Sequence, residues 1–264
     1  MVDGRQSVNG GGSSSTDITC DFGENFGNWT FGNDELLAPH LTSANIACGF
    51  HAGDPTVMRN AVKRCLANDV RIGAHVGFPD LRGFGRREMA IANDDLRNDV
   101  IYQFGALEAI CAAEGTSVTH VKPHGALYDM AVTDRRVAET LIEAMVEIDC
   151  DLPIFSVWNS AIHEFADDHG VHVIDEVYAD RSINADGSEN PGYDLTQLGG
   201  SVEAAAERVV RAVTERQLAA VDGSDVEWSS ESICIHSDTV DAVPILLCLT
   251  RRLADAGVAV APYD

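Results

Sequence analysis

Val118-Thr119-His120-Val121-Lys122-Pro123-His124-Gly125-Ala126-Leu127-Tyr128 is a short apolar strand that runs into a break. Val118 to Val121 reads as buried strand, and Pro123-His124-Gly125 interrupts it. The segment carries two histidines, a lysine and a tyrosine between His120 and Tyr128. A strand that releases polar groups at its C-terminal end is the unit from which parallel α/β enzymes build their sites. The lysine is unusual in this chain, because only Lys63 and Lys122 among 18 basic residues are lysine and the rest are arginine. A sequence nearly stripped of lysine that keeps one between two histidines has a use for an amine there.

Outward from this segment the same pattern repeats. Ile18 to Cys20, Ala44 to Ala47, Val70 to Ala74, Ile154 to Val157, Val171 to Ile174 and Ser232 to Ile235 read as further strands, making seven. Helices are expected between them. Pro55 to Ala67 has Asp54 as N-cap and Pro55 in its first turn, and Asn93 to Glu114 has Gly115 just past its end. Asp134 to Ile148, Ser160 to His169, Val202 to Thr214 and Asp238 to Ala256 follow. Alternating strands and helices predict a parallel sheet, and seven strands in a chain of 264 residues predict a single (β/α) barrel of about seven parallel strands. A doubly wound open sheet is the competing arrangement. Two long connections, Val76 to Ala92 and Ala179 to Gly200, and a small hairpin centred on Asp222-Gly223 complete the pattern.

No composition shift divides the chain, so one domain is expected over residues 16–264. Residues 1–15 are polar and rich in glycine and serine, and read as a disordered tail without the apolar core of a signal peptide. The 42 acidic residues against 18 basic give a net charge of −24, which opposes binding to nucleic acid or to an anionic membrane. Acid excess with lysine depletion suits a protein kept soluble in concentrated salt, where screening shortens self-repulsion to about 3 Å at molar ionic strength. The seven cysteines are scattered with no C-x-x-C pair, so neither a disulfide framework nor a zinc knuckle is indicated and a reducing cytoplasm is expected. The apolar run around Val243 to Leu249 is too short to span a bilayer.

Four polar clusters follow strand ends. They are Asp21-Phe22-Gly23-Glu24; Asn45 with the loop Cys48 to Asp54 around His51; His75 with the loop through Gly83-Phe84-Gly85-Arg86-Arg87; and the histidine–lysine segment itself. In a parallel barrel every strand C-terminus lies on one face, so these groups converge. The catalytic candidates are Asp21, His51, Lys122 and His124, and the substrate-binding candidates are Glu24, Asn45, His75, Arg86 and Tyr128. His40, His163, His169 and His172 are read as structural or exposed. No G-x-x-x-x-G-K-[ST] loop, G-x-G-x-x-G fingerprint, G-x-S-x-G elbow or H-E-x-x-H pair occurs. Asp21, His51 and His75 are of metal-ligand type, but they belong to three separate strands and no metal is assigned.

Longer blocks resemble a known family. Cys20-Asp21-Phe22-Gly23-Glu24, Thr42 to Pro55, Gly73-Ala74-His75, Gly77-Phe78-Pro79-Asp80, Gly83 to Arg87, Tyr102-Gln103, Val121 to Tyr128, Ala179-Asp180-Arg181 and His236-Ser237-Asp238-Thr239 occur in the order found in LamB/YcsF proteins. The chain departs from the family's usual residues at Thr19 and Ile183, beside these blocks, and at Ser237, within the last of them. The resemblance implies a barrel related to polysaccharide-deacetylase folds. It also implies the A subunit of a heteromeric 5-oxoprolinase, which opens 5-oxo-L-proline to L-glutamate at the expense of ATP, with partner subunits B and C. On that reading Asp21 or His51 would activate water and Lys122 would stabilise the oxyanion or phosphate. His124 would protonate the departing nitrogen and Arg86 would hold the substrate carboxylate, while ATP would be handled with the partner subunits. The other readings are a stand-alone metal-dependent amide or sugar deacetylase and a non-catalytic scaffold of the complex.

Overall fold

In a computed structural model of the chain, residues 15–149 and 151–263 are described. The expected tail lies outside them except for Ser15, which opens the first strand. Six parallel strands come first: β1 (Ser15–Phe22), β2 (Ser43–Ala47), β3 (Arg71–Val76), β4 (His120–Pro123), β5 (Ile154–Val157) and β6 (Val173–Tyr178). A small hairpin follows, formed by β7 (Gln217–Ala219) and β8 (Asp225–Glu227), paired antiparallel on either side of the expected Asp222-Gly223 turn. The seventh parallel strand is β9 (Ser232–His236). It pairs with both β6 and β1, so the sheet closes into a barrel and the open-sheet alternative is excluded.

Period-two alternation decides which side chains fill the barrel. On β1, Ile18, Cys20 and Phe22 join the large apolar core shared with the helices. Asp17, Thr19 and Asp21 bond to groups on neighbouring strands instead: Asp17 to Ser43 and Ser232, and Asp21 to Asn45. The barrel interior is therefore polar, apart from a small separate cluster of Phe155, Ile174 and Tyr263. Tyr263 follows β10 (Ala259–Val260), which pairs with Ser15 and Thr16 at the start of β1, so the C-terminal segment closes the N-terminal mouth.

Short α1 (Asp34–Leu37) precedes β2, and α4 (Gly125–Thr133) follows β4. The outer layer comprises α2 (Pro55–Ala67), α3 (Asn93–Glu114), α5 (Arg135–Asp149), α6 (Ala161–His169), α7 (Val202–Glu215) and α8 (Ala242–Asp255). Asp54 caps α2, its carboxylate accepting from the Thr56 and Val57 amides at 2.8 and 2.9 Å. Several elements differ from the sequence reading: α1 and β10 have no counterpart in it, and its first strand covers only Ile18 to Cys20. Helix α4 is absent from it, because Pro123-His124-Gly125 reads as a break when it is in fact a helix entry. β4 starts two residues later, at His120. β6 runs on to Tyr178, because the adjacent acids Asp175-Glu176 look like a strand end but Glu176 is drawn into the barrel by a lysine.

Candidate active site

Strand register brings the polar groups to one mouth. Asp21 lies opposite Asn45 on β2 and His236 on β9, while His75 lies opposite Lys122 on β4. Asp21, His75, Lys122 and His236 floor a cavity of about 360 Å³, lined also by Arg86, His124, Tyr128, Tyr178, Glu189 and Trp228. The strand ends thus converge as the sequence reading required.

Lys122 is buried on this floor. Its Nζ donates to Glu176 Oε2 at 2.8 Å and to Cys234 Sγ at 3.0 Å, lies 3.8 Å from Asp21 Oδ1, and sits 4.9 Å from the centroid of the Tyr178 ring. Burial works against the charge, but Cys234, Glu176 and Asp21 together push the lysine well above its ordinary value. Lys122 is therefore an ammonium with two carboxylates for partners, and not a neutral amine. Burial would likewise raise Asp21, yet His75, Lys122 and His236 hold its carboxyl well below the usual range. A carboxylate that strongly ionised is a poor base and a good fixed negative charge.

The imidazoles divide into two groups. His236 turns Nδ1 to Asp180 at 2.9 Å and Nε2 toward Asp21 Oδ2 at 3.6 Å. Burial opposes ionisation of Asp180, but His236 and Arg181 hold it well below the usual range, so it is a firm acceptor that fixes the Nδ1–H tautomer of His236. The second group is His51, His75 and His124. His75 donates Nδ1–H to the Lys122 carbonyl at 3.0 Å, and His124 donates Nε2–H to the Phe84 carbonyl at 2.8 Å. His51 stacks on His124, with ring centroids 3.7 Å apart and planes within 10°. Burial and the neighbouring imidazoles push His51 and His124 well below the usual histidine value, so both rings are neutral.

The remaining candidates have distinct positions. Glu24 sits behind the cavity wall, its Oε1 at 3.3 Å from His51 Nε2 and 3.7 Å from His124 Nδ1. Burial, with Asp21, Asp238 and Asp34 nearby, raises its carboxyl well above the ordinary value. Asn45 lies below the floor: it donates to Asp21 at 3.1 Å and to Thr19 at 2.9 Å and accepts from His120 at 2.9 Å, so it touches Asp21 and not the cavity. His120 is buried with Asn45 and Tyr263, and burial pushes it down to about 3. Arg86 is exposed at the cavity rim, whereas Arg87 is clamped on Asp80 and belongs to the loop. Tyr128 faces the cavity, and its hydroxyl has no hydrogen-bond partner among the described residues.

Sequence reasoning missed Glu176 altogether and left Asp180 and His236 as parts of motifs without roles. The available signal was alternation: with β6 extended to Tyr178, the residues Ile174, Glu176 and Tyr178 share the inward face. A single buried lysine also demands a carboxylate partner that sequence alone does not locate.

Loop packing against the site depends on two glycines. Gly85 has φ +67°, and a Cβ there would meet His124 Cδ2 and His51 Cβ at 2.7 Å. Gly125 has φ +51°, and its Cβ would meet the Gly85 carbonyl at 2.8 Å. That carbonyl accepts the Ala126 amide at 2.9 Å, which ties the loop after β3 to the start of α4.

Fold and site define a parallel seven-stranded β/α barrel with a buried charged centre at the C-terminal mouth. Residues 16–264 match the LamB/YcsF family model, and the chain belongs to that family. It is 42% identical over 244 residues to a Geobacillus thermodenitrificans protein named as the A subunit of 5-oxoprolinase, covering 92% of this chain and 95% of that one. A Pyrococcus horikoshii protein of the same name is 42% identical over 246 residues, covering 93% and 96%. The crystal structure of a lactam utilization protein from Thermus thermophilus superposes with a TM-score of 0.87 at 38% identity, covering 94% of this chain and all of that one.

Proposed function

We propose that this chain is the A subunit of an ATP-dependent 5-oxoprolinase, a hydrolase that opens the cyclic amide of 5-oxo-L-proline to L-glutamate. Similarity to proteins of that name over nearly the whole chain carries the reading, and the charged cavity supplies its chemistry. An amide carbonyl resists water and its nitrogen leaves poorly. Phosphorylation of the carbonyl oxygen by ATP removes the amide resonance, water adds to the carbon, the C–N bond breaks, and the acyl phosphate formed is hydrolysed by a further water. We assign the phosphorylation to partner subunits B and C, in keeping with the lack of a recognisable nucleotide loop.

Within this chain Arg86 holds the substrate carboxylate at the rim. The Lys122 ammonium stabilises negative charge developing on the lactam or phosphate oxygen, in a site with little water to screen it. His236 takes the proton from the attacking water at Nε2 and returns it to the departing nitrogen, with Asp180 fixing its tautomer. This assignment replaces the expectation that Asp21 or His51 is the base and His124 the acid. Asp21 is held ionised by its neighbours, and His51 lies behind the wall. His124 donates its Nε2–H in a hydrogen bond to the Phe84 carbonyl. Asp21 and Asn45 then act as positioning residues for Lys122.

The acidic, lysine-poor composition supports a protein adapted to concentrated salt, and the scattered cysteines suit a reducing cytoplasm; no described helix is long and apolar enough to cross a membrane. The test is glutamate formation from 5-oxoproline and ATP by this chain with its partner subunits, in about 0.1 M and about 1 M potassium chloride. The proposal expects glutamate only when all subunits and ATP are present, with higher activity in the more concentrated salt. Glutamate formed at the same rate without this chain would refute the function, and better activity in low salt would refute the salt reading.

A further inference from the structure

We propose that Glu24, His51, His75 and His124 form a binding site for one divalent transition-metal ion of the zinc type. Four different segments bring them together: the end of β1, the loop between β2 and α2, β3, and the residue that enters α4. One ligand atom from each lies within 4.8 Å of all the others, and all four residues are buried.

The hydrogen bonds of the two best-fixed rings give the strongest reason. A carbonyl oxygen only accepts, so the Lys122 carbonyl fixes the proton of His75 on Nδ1 and the Phe84 carbonyl fixes that of His124 on Nε2. The other nitrogens, His75 Nε2 and His124 Nδ1, then point lone pairs at each other across 2.9 Å, and the Asp21 carboxylate stands 3.2 Å from the same His75 atom. Glu24 Oε1 lies 3.7 Å from the same His124 atom. Acceptors facing acceptors in a buried pocket repel unless a positive centre stands between them. No lysine or arginine forms an ion pair with Glu24 among the described residues.

The spacing suits a metal. Two atoms each about 2.0–2.2 Å from one ion, at octahedral or tetrahedral angles, are about 2.8–3.6 Å apart. His75 to His124 at 2.9 Å and His51 to Glu24 at 3.3 Å fall in that range. Both anchored rings also donate their remote N–H to a backbone carbonyl, which is how ligand histidines are oriented and kept basic. His51 Nδ1 has no partner, so stacking on His124 holds that ring in place of a hydrogen bond. Three imidazoles with one carboxylate favour zinc, cobalt or nickel over the oxygen-seeking magnesium and calcium.

His75 and His124 also line the cavity, so the ion would border it. Only the statement that this cavity holds the lactam rests on the proposed function; the metal site itself stands on geometry.

The experiment uses the full chain stripped with a chelator and dialysed against Zn²⁺ or Co²⁺. Bound metal is counted by elemental analysis, and the visible absorption of the Co²⁺ form reports imidazole ligation. The proposal expects one ion per chain with a Kd below about 1 µM, a melting temperature that rises on loading, and a Co²⁺ spectrum. Glu24→Gln and His51→Gln should each weaken binding by about 100-fold or more, whereas His163→Asn on α6 should keep one equivalent. The Co²⁺ readout on unaltered protein needs no variant, so a variant that misfolds does not spoil the test. Folded protein that takes up no Zn²⁺ or Co²⁺, with a proton shared by His75 and His124 instead, would overturn the proposal. So would stoichiometric binding unchanged in both ligand variants. Metal counting requires no partner protein or turnover, so its failure would leave the oxoprolinase reading untouched, and the reverse also holds.

Discussion

Lys122 and Glu176 form a buried pair 2.8 Å apart; removing the lysine strands the glutamate, whereas removing the glutamate leaves the lysine with Asp21 at 3.8 Å. Breaking such a pair costs about 3–5 kcal/mol, whereas neutralising both partners costs much less. A variant of Lys122 alone therefore mixes catalysis with folding, and Glu176→Gln is its natural companion. Glu189, on the cavity rim, gives a cleaner pH prediction. Burial raises its carboxyl to about 7, with His236 and Arg181 pulling it down and Asp129 and Asp180 pushing it up. The same group ionises near about 4.3 in an unfolded chain. Between those values the folded state keeps a proton that the unfolded state has lost, so stability declines as pH rises through this window. Glu189→Gln removes that decline. Its melting temperature should exceed that of the wild type by a few degrees at pH 8 and differ little at pH 5; an equal difference at both would contradict the assignment.

At the scale of elements, the site depends on the loop after β3 lying flat on the β4–α4 junction. Gln103 of α3 pins the loop's first residue, donating to the Gly77 carbonyl at 3.0 Å and accepting from its amide at 2.9 Å. Gly85 sits against His51 and His124 with no room for a side chain. Gly85→Ala should displace these rings and weaken Zn²⁺ binding at least about 10-fold, while the far-ultraviolet dichroism of the barrel is retained. Unchanged Zn²⁺ affinity in this variant would show that the loop does not set the imidazole geometry. The elements themselves were largely legible: α2 and α3 carry an N-cap or a glycine stop, and β5 is a bounded apolar run. What failed was reading β6 and α4. Local polarity marks Asp175-Glu176 as a strand end and Pro123-His124-Gly125 as a break, and only the closed barrel reveals that one faces a lysine and the other starts a helix.

At the scale of the molecule, the closed barrel turns scattered sequence motifs into one charged centre. The lysine, its neighbouring histidines and Asp21 were legible because residue type and strand-end position both singled them out. Their partners were not, since pairing Lys122 with Glu176, or His75 with His124, requires the register of strands far apart in sequence. The central claim is that the Lys122 ammonium stabilises charge during lactam opening. Its most direct test compares kcat/KM for 5-oxoproline in complexes assembled with Glu176→Gln alone and with Glu176→Gln combined with Lys122→Met. Measurable turnover is expected for the first and a further loss of about 100-fold or more for the second. Equal rates in two assembled, folded complexes would contradict it.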